Sequence, residues 1–597
     1  MPGVPDSKVN SVQPVDGQYR MARAVSWAIC IALAAVEAWT GQQYSDPDTI
    51  AYLDMSDGIV RNDWHTLINP YWSPLYPFFI GVVRSIGHPS PRWELPLTHL
   101  LNFIIFIAAL TAFEFLMRQV IPILALPGSR PQSGLPLLER TYIWNLLGYS
   151  VFAWTTFCLV GSVRKSLPDL CVVAFIYLDA ALVLRILSRQ RTFTWFICLG
   201  ATLGLGYYAK AILFPVGLLI MLVAVCAAGS LRKTWFPALA MAITFFSIAA
   251  PLVVLTSASA GRLTFGETGR LNYAWLVYGE PSAFYLSPQV DYRKDPPNVT
   301  HSDLTYVGDG LSIQRILLRN PDVFQLAPQG TATYPPWSDP ALFASGLESP
   351  FHLNDQLRSI GKNLGRLITD EILPIPLTLA AYLVLFFAAA RSPGRWRSIL
   401  KVWPLFIVGI GGISLYTLIE ILPRLVAGFA ALAWLALLCG VRFQPPHRRP
   451  RMVNIAAAVF ILSLAATAIG NVAYHVLRPP APLRGAICEA SVVASDLAKG
   501  GLVPGDVIAV IGGGERSMAI ARFARARIDV AISWKDSSKF WQLSDPRARI
   551  DVYEALREGG ARVVLSSGPP PASGFEEWRR IADTDFYVHS LDPSIHK

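Results

Sequence analysis

Charge is scarce in this 597-residue chain. Asp, Glu, Lys and Arg together make up 15% of it, against about 25% in an ordinary soluble domain. That scarcity argues against a soluble enzyme, a disordered chain and a free nucleic-acid binder. Cysteine is sparse too. Of seven, Cys30, Cys158, Cys171, Cys198, Cys226 and Cys439 sit in apolar runs and only Cys488 lies elsewhere. With no paired spacing, neither a disulfide framework nor a zinc site is indicated. The sequence has no phosphate-binding P-loop, no H-E-x-x-H and no G-x-S-x-G, and His65, His88, His99 and His301 show no ligand-pair spacing. No internal repeat marks an inverted-repeat transporter.

What is abundant is apolar. Hydrophobic residues make up 53% of the chain and mean hydropathy is +0.41, a proportion that calls for the bilayer as a second solvent. Eleven stretches are long and apolar enough to span it: 24–40, 95–117, 141–160, 168–187, 194–209, 211–228, 235–255, 372–390, 402–419, 424–441 and 453–475. The first is preceded by Lys8, Arg20 and Arg23, but Glu37-Ala-Trp-Thr40 is not a small-residue cleavage site, so it reads as a retained span. With residues 1–23 in the cytoplasm and the spans alternating, the inner segments hold Arg118, Arg130 and Arg140; Arg189 and Arg191; Arg232 and Lys233; Arg391, Arg395, Arg397 and Lys401; and Arg442, Arg448, Arg449 and Arg451. Each is basic, as a positive-inside orientation requires. The surplus of 51 basic over 41 acidic residues, +10, is therefore largely topological and carries no sign of nucleic acid. Arg164-Lys165, on the outer side, is the exception.

The outer face then receives residues 41–94, residues 256–371 and everything after about 478. The predicted organisation is a cytoplasmic segment 1–23, a transmembrane domain 24–477 with outer loops 41–94 and 256–371, and a domain 478–597. The long loop is rich in Pro, Gly and Tyr and predicts short helices and irregular turns. The tail predicts a small α/β domain, with strands at 506–511, 528–532, 562–565 and 586–591 and helices at 517–526 and 552–558. Gly512-Gly513-Gly514 follows the first strand without G-x-G-x-x-G spacing, so a tight strand-to-helix turn is the reading preferred over a nucleotide site. The fold class is a polytopic α-helical membrane protein of about eleven spans with a small C-terminal α/β domain.

The first outer loop concentrates acid: Asp46, Asp48, Asp54, Asp57 and Asp63 against Arg61. A helix beginning near Pro47 makes Asp46 its N-cap and puts Asp48 in its first turn, where the dipole favours a carboxylate. Asp48 and Tyr52 then share a face (i, i+4). The stretch continues to Pro74-Leu-Tyr-Pro77. An Asp after the first span, a Tyr four residues on and a Pro-Leu-Tyr-Pro segment together resemble integral-membrane glycosyltransferases of the GT-C superfamily. The branches concerned are the family-39-like enzymes, including protein O-mannosyltransferases, the lipid A aminoarabinose transferases and the RgtA/B/C/D-like bacterial proteins. That resemblance implies a catalytic base at Asp48, although Thr49 stands where many relatives carry Glu. Pro168-Asp169 opens the fourth span, Gly206-Tyr-Tyr-Ala-Lys210 resembles the turn between two spans in the aminoarabinose transferases, and Pro423-Arg424 resembles a Pro-Arg-Tyr element with Leu425 in place of Tyr. Each has a bland alternative: a salt-bridged cap beside Arg164 and Lys165 for Asp169, and snorkelling for Lys210 and Arg424. In the long loop, 261–275 with Arg270 and 331–340 with Tyr334 and Trp337 resemble segments of the bacterial group and suit a sugar platform, with interfacial anchoring as the alternative.

The resemblance implies an inverting glycosyltransferase. It would move a sugar from a polyprenyl-phosphate donor to a glycan, lipid or protein acceptor on the periplasmic face of the inner (plasma) membrane, with the tail domain on that side. Asp48 would serve as base, and Tyr52, Asp169, Lys210, Arg270, Tyr334, Trp337 and Arg424 would bind substrate. No cofactor is assigned, and a divalent cation held by Asp48 and Asp169 stays open. The competing readings are a transporter or flippase for a polar or lipid-linked solute, with Asp179 as the main charge inside a span, and a non-catalytic subunit whose tail recruits a partner.

Overall fold

The computed structural model describes residues 17–124, 141–161, 163–188, 193–229, 231–280, 282, 307–308, 311–312, 314–328, 330–344, 347, 349–389, 400–441, 450–478, 489–512, 514–571 and 575–593. All eleven apolar stretches are helical. The first nine helices are α1 (Gly17–Thr40), α2 (Pro47–Val60), α3 (Leu75–Gly87), α4 (Pro91–Leu124), α5 (Thr141–Trp154, continued by a π turn Thr155–Leu159), α6 (Asp169–Leu187), α7 (Phe193–Ala209), α8 (Leu213–Ala228) and α9 (Leu231–Ala260). After the long loop come α10 (Leu353–Arg366), α11 (Pro376–Ala389), α12 (Trp403–Thr417), α13 (Pro423–Cys439) and α14 (Pro450–Leu477). Five of these, α1, α4, α6, α9 and α14, are individually long and apolar enough to cross a membrane.

α6 is the most buried of the five and packs against α4, α7, α8 and α13. α7 and α9 approach closely because Gly200 and Gly204 face α9. A Cβ on Gly200 would stand 2.4 Å from the Met241 carbonyl oxygen, and one on Gly204 would stand 2.8 Å from Ile248, the small-residue contact typical of membrane helices. Ile104, Leu222, Ile243, Leu377, Phe387, Ile455 and Leu462 are exposed. So much outward apolar surface is the lipid-facing coat of a multi-pass membrane protein. Among the basic residues that the sequence assigns to the inner side, Arg118, Arg232, Lys233, Lys401 and Arg451 are described; Arg130, Arg140, Arg189, Arg191, Arg391, Arg395, Arg397, Arg442, Arg448 and Arg449 lie outside the described residues.

The tail contributes helices α15 (Glu489–Lys499), α16 (Met518–Ala524), α17 (Trp534–Trp541) and α18 (Pro546–Glu558) around a seven-stranded sheet. Its strands are β1 (Gln314–Leu318), β2 (Val323–Leu326), β3 (Val507–Ile511), β4 (Arg527–Ile532), β5 (Ala561–Ser567), β6 (Arg579–Arg580) and β7 (Phe586–Ser590), in the order β1-β2-β4-β3-β5-β7-β6. β3 runs parallel to β4 and β5 at the centre. The four tail strands expected from sequence are there. The surprise is β1–β2, a hairpin from the long loop that pairs antiparallel with β4, Phe324 opposite Ala531. The loop was expected to hold only short helices and irregular turns. It does contain single helical turns at Thr268–Asn272, Pro335–Ser338 and Pro340–Phe343, but its hairpin completes the tail's sheet, so loop and tail share one core.

A buried ionic network joins the tail to the membrane part. Arg522, on α16, donates to Asp54 (3.0 Å), to both oxygens of Asp57 (2.6 and 2.8 Å) and to Glu94 (3.0 Å). Arg84 of α3 meets the same Asp57 (2.6 Å) and Glu94 (2.9 Å). Burial raises the Asp54 carboxyl to about 6 against the pull of Arg522. Burial acts on Asp57 in the same sense, but Arg522 and Arg84 together hold it below its ordinary value. Removing one partner of such a buried cluster leaves its acids uncompensated, at a cost of about 3–5 kcal/mol. Arg522→Ala is therefore expected to lower the melting temperature of the detergent-purified protein markedly, and an unchanged melting curve would contradict the network.

Candidate active site

α2 begins as its sequence dictates. Asp46, extended at φ −115°, caps it by accepting from the Thr49 N–H (2.9 Å) and hydroxyl (3.0 Å), and Pro47 follows at the first helical position. The Thr49 hydroxyl also reaches the Ser166 carbonyl (3.2 Å), tying the start of α2 to the entrance of α6. Two polar residues of α4 brace that entrance. His99 lies 2.9 Å from the Tyr44 carbonyl oxygen, and Asn102 donates to the carbonyls of Val163 (3.0 Å) and Lys165 (2.8 Å).

At this end of the bundle four predicted residues from four separate segments meet. Arg424, at the start of α13, bridges two acids: Nη2 lies 3.2 Å from Asp48 Oδ2 and Nη1 lies 3.6 Å from Asp169 Oδ2. Lys210, in the turn between α7 and α8, pairs with the other Asp169 oxygen at 2.7 Å. Asp169 is almost wholly enclosed, with 4% of its side chain exposed, whereas Asp48, Lys210 and Arg424 keep 19, 23 and 27%. Those three are reachable from outside; Asp169 serves to hold the two cations. Lys210 and Arg424 thus do more than snorkel. Arg164, one of the two cations in the alternative salt-bridged cap of Asp169, stacks on the Tyr44 ring at 4.9 Å, close against Gly41. The Asp46 carboxyl is raised to about 6 by burial and then by its neighbour Asp48.

Trp337 joins the cluster by donating from Nε1 to Asp48 Oδ1 (3.3 Å). It is delivered there by contacts that sequence reasoning missed. Asp54 accepts from the Thr333 N–H and hydroxyl (both 2.7 Å) and the Ser338 hydroxyl (3.0 Å). Asn69 donates to the Ser338 carbonyl (2.8 Å), and Trp72 donates to the Trp337 carbonyl (2.9 Å). No local pattern in the sequence announces contacts across nearly 300 residues. Tyr52, four residues after Asp48 on α2, lies within an aromatic group, its ring edge-on to Trp72 (5.3 Å) and Tyr76 (5.4 Å).

Two other predicted residues have their side chains engaged elsewhere. Arg270 is held by Glu267 (2.7 Å) and by the Leu347 carbonyl, which braces the loop. Tyr334 is fully buried against Gly514, where a Cβ would meet the tyrosine ring at 2.7 Å. The glycine-rich turn after β3 thus leaves space for a ring from the long loop; Gly513 lies outside the described residues. No three His, Cys, Asp or Glu side chains gather as a metal site among the described residues. The guanidinium between Asp48 and Asp169 does not fit a cation bridging those two carboxylates. Asp179, inside α6, accepts from the Thr202 hydroxyl (2.5 Å).

A second feature of this region is an apolar groove of about 400 Å³, between the turn at Trp64, the start of α3 and the ends of α7 and α9. Trp64, Phe78, Tyr208, Leu252 and Leu255 line it.

No family model matches the chain and no curated protein matches its sequence. Solved structures do. ArnT from Cupriavidus metallidurans bound to undecaprenyl phosphate superposes with a TM-score of 0.54 at 11% identity, covering 97% of this chain and 99% of ArnT. Its apo state gives 0.52 at 12%, covering 96% and 99%. An oligosaccharyltransferase from Archaeoglobus fulgidus, in complex with zinc and sulfate, gives 0.50 at 13%, covering 92% of this chain and 68% of that one. The chain shares the fold of these proteins over nearly its whole length.

The Tyr334–Gly514 contact carries a test. Gly514→Ala forces a methyl group into the ring and is expected to cost about 1–3 kcal/mol, measured by thermal unfolding. In a Tyr334→Ala background the same change should cost little. Equal penalties in both backgrounds would show that the two residues do not touch.

Proposed function

We propose that the chain is an inverting glycosyltransferase that takes a sugar from a polyprenyl-phosphate donor to a cell-envelope acceptor, on the periplasmic side of the inner membrane. The observation that carries this reading is the joint made by Asp48, Arg424, Asp169 and Lys210. A partly exposed carboxylate stands beside two partly exposed cations, all at helix ends on one side of the bundle. The acceptor oxygen attacks the anomeric carbon and its proton passes to Asp48. The bond from that carbon to the phosphate oxygen breaks, and the phosphate leaves with the electron pair. Arg424 and Trp337 orient the base, and Arg424 and Lys210 meet the growing negative charge on the leaving phosphate. Without donor, Asp169 keeps both cations compensated; a phosphate competes for them.

The apolar groove at Tyr208, two residues before Lys210, suits the lipid chain of such a donor. The ArnT structure with undecaprenyl phosphate supports a lipid-phosphate ligand for this fold. Arg270 and Tyr334 act in this reading by holding the loop that carries Trp337, and Tyr52 by packing α2 against Trp72 and Tyr76. For the transporter alternative the relevant charge is Asp179, and Thr202 already answers it.

In membranes given a labelled polyprenyl-phosphate sugar, Asp48→Asn is expected to lower transfer by about 10²-fold or more while leaving donor binding in place. Lys210→Met is expected to weaken donor binding itself. Equal transfer by wild type and Asp48→Asn would remove Asp48 as the base. Transport of solute with no covalent product would remove the enzyme assignment.

A further inference from the structure

Beyond the Arg522 network lies a second, larger cavity of about 660 Å³, between the ends of α2 and α3, the loop at 330–333 and the tail domain. Its size is within the roughly 300–1,000 Å³ of small-molecule sites. The floor is electrically settled, because Arg84 and Arg522 are answered by Asp57 and Glu94. The rim is not. Arg61, His88 and Arg525 are exposed there, and no acid other than Asp57 and Glu94 lines the cavity among the described residues. A ligand entering from water therefore meets cations first.

Helix dipoles do not account for the rim. A cation in the last turn satisfies a helix C-terminus, and α3 and α16 already have Arg84 and Arg522 in that position. His88 and Arg525 are second basic residues, one step past each helix. Both sit in left-handed backbone, φ 43° and 54°, where glycine is the usual occupant. The chain carries this strain and keeps two basic side chains facing one cavity, a pattern that belongs to functional sites.

We propose that this cavity binds an acidic saccharide, held through a carboxylate or phosphate group at Arg61, His88 and Arg525. That the ligand is a saccharide rests on the glycosyltransferase reading; the anion site does not. The cavity is a site apart from the joint at Asp48: Asp57 lies nine residues further along α2, about 13 Å and two and a half turns, on the opposite face of the helix.

The test is binding to the full-length detergent-purified protein with no donor present, so its result is independent of any transfer assay. Calorimetry would compare a glucuronate-containing tetrasaccharide, a sugar phosphate and a neutral tetrasaccharide. The acidic ligands are expected to bind roughly tenfold or more tightly than the neutral one, and to weaken as salt is raised. Comparison of the carboxylate and phosphate arms identifies which anion fits. Arg61→Gln and Arg525→Gly should each weaken acidic binding roughly tenfold. Arg525→Gly should at the same time raise the melting temperature, because glycine relaxes the left-handed cap, which separates lost binding from lost folding. Equal binding of acidic and neutral sugars, no binding of either, or full affinity in Arg525→Gly would each overturn the proposal.

Discussion

A carboxylate withdrawn from water must be answered by a cation or by several donors, and helix α2 concentrates that demand. Its fourteen residues are mostly buried, yet they carry Asp48, Asp54 and Asp57, with Asp46 as the cap. A buried, uncompensated charge costs several kcal/mol, so none of these acids can be placed without its partner. The partners come from everywhere else: Arg424 from α13, Arg84 from α3, Arg522 from the tail, and Thr333, Trp337 and Ser338 from the long loop. The position of α2 is therefore fixed by the whole assembly, and the geometry at Asp48 follows from contacts made at the other end of the helix.

The same constraint explains the pairing at the site. Arg424 and Lys210 sit where helices end, in surroundings that are neither lipid nor open water. With 4% of its side chain exposed, Asp169 keeps both cations in place at the cost of its own desolvation. On the proposed reading, the donor's phosphodiester carries one negative charge, like Asp169, and gains a second as its bond to the sugar breaks; guanidinium geometry suits two acceptors at once. A cluster in which cations are shared between fixed acids and a transient anion is preorganised, since the positive charges need not be gathered when the ligand binds.

Much of this was legible in the sequence because it rests on local signals. Hydropathy marked eleven helices, and capping chemistry placed Asp46, Pro47 and Asp48 at the start of α2. A few charges interrupting apolar runs marked Asp169, Lys210 and Arg424. The resemblance of their surroundings to GT-C enzymes implied a common role, which the proposed function adopts. What stayed hidden is long-range. The hairpin β1–β2 consists of two runs of five and four residues, too short for periodicity to distinguish from a loop, and its partner strand lies about 200 residues later. Arg522 reads as one more arginine on a tail helix. Asp54 reads as one more acid in an acidic loop. Tyr334 looked like a sugar platform because aromatic composition cannot tell a ring on the surface from a ring pressed against a glycine.

These long-range contacts bear on whether the tail is a detachable recruiting module. The loop that hands Trp337 to Asp48 also supplies β1 and β2 to the tail's sheet; between those two points it is fastened to Asp54 through Thr331 and Thr333, and just past Trp337 through Ser338. Without the tail, β2 would lose β4, its partner in the sheet, and Asp57 and Glu94 would face Arg84 alone. Two acids would compete for one guanidinium in a buried setting, and the loop would lose its outer support. The position of Trp337 over Asp48 thus depends on a sheet that lies outside the membrane part. The tail's distance in sequence from Asp48 conceals a direct mechanical connection through one short helix.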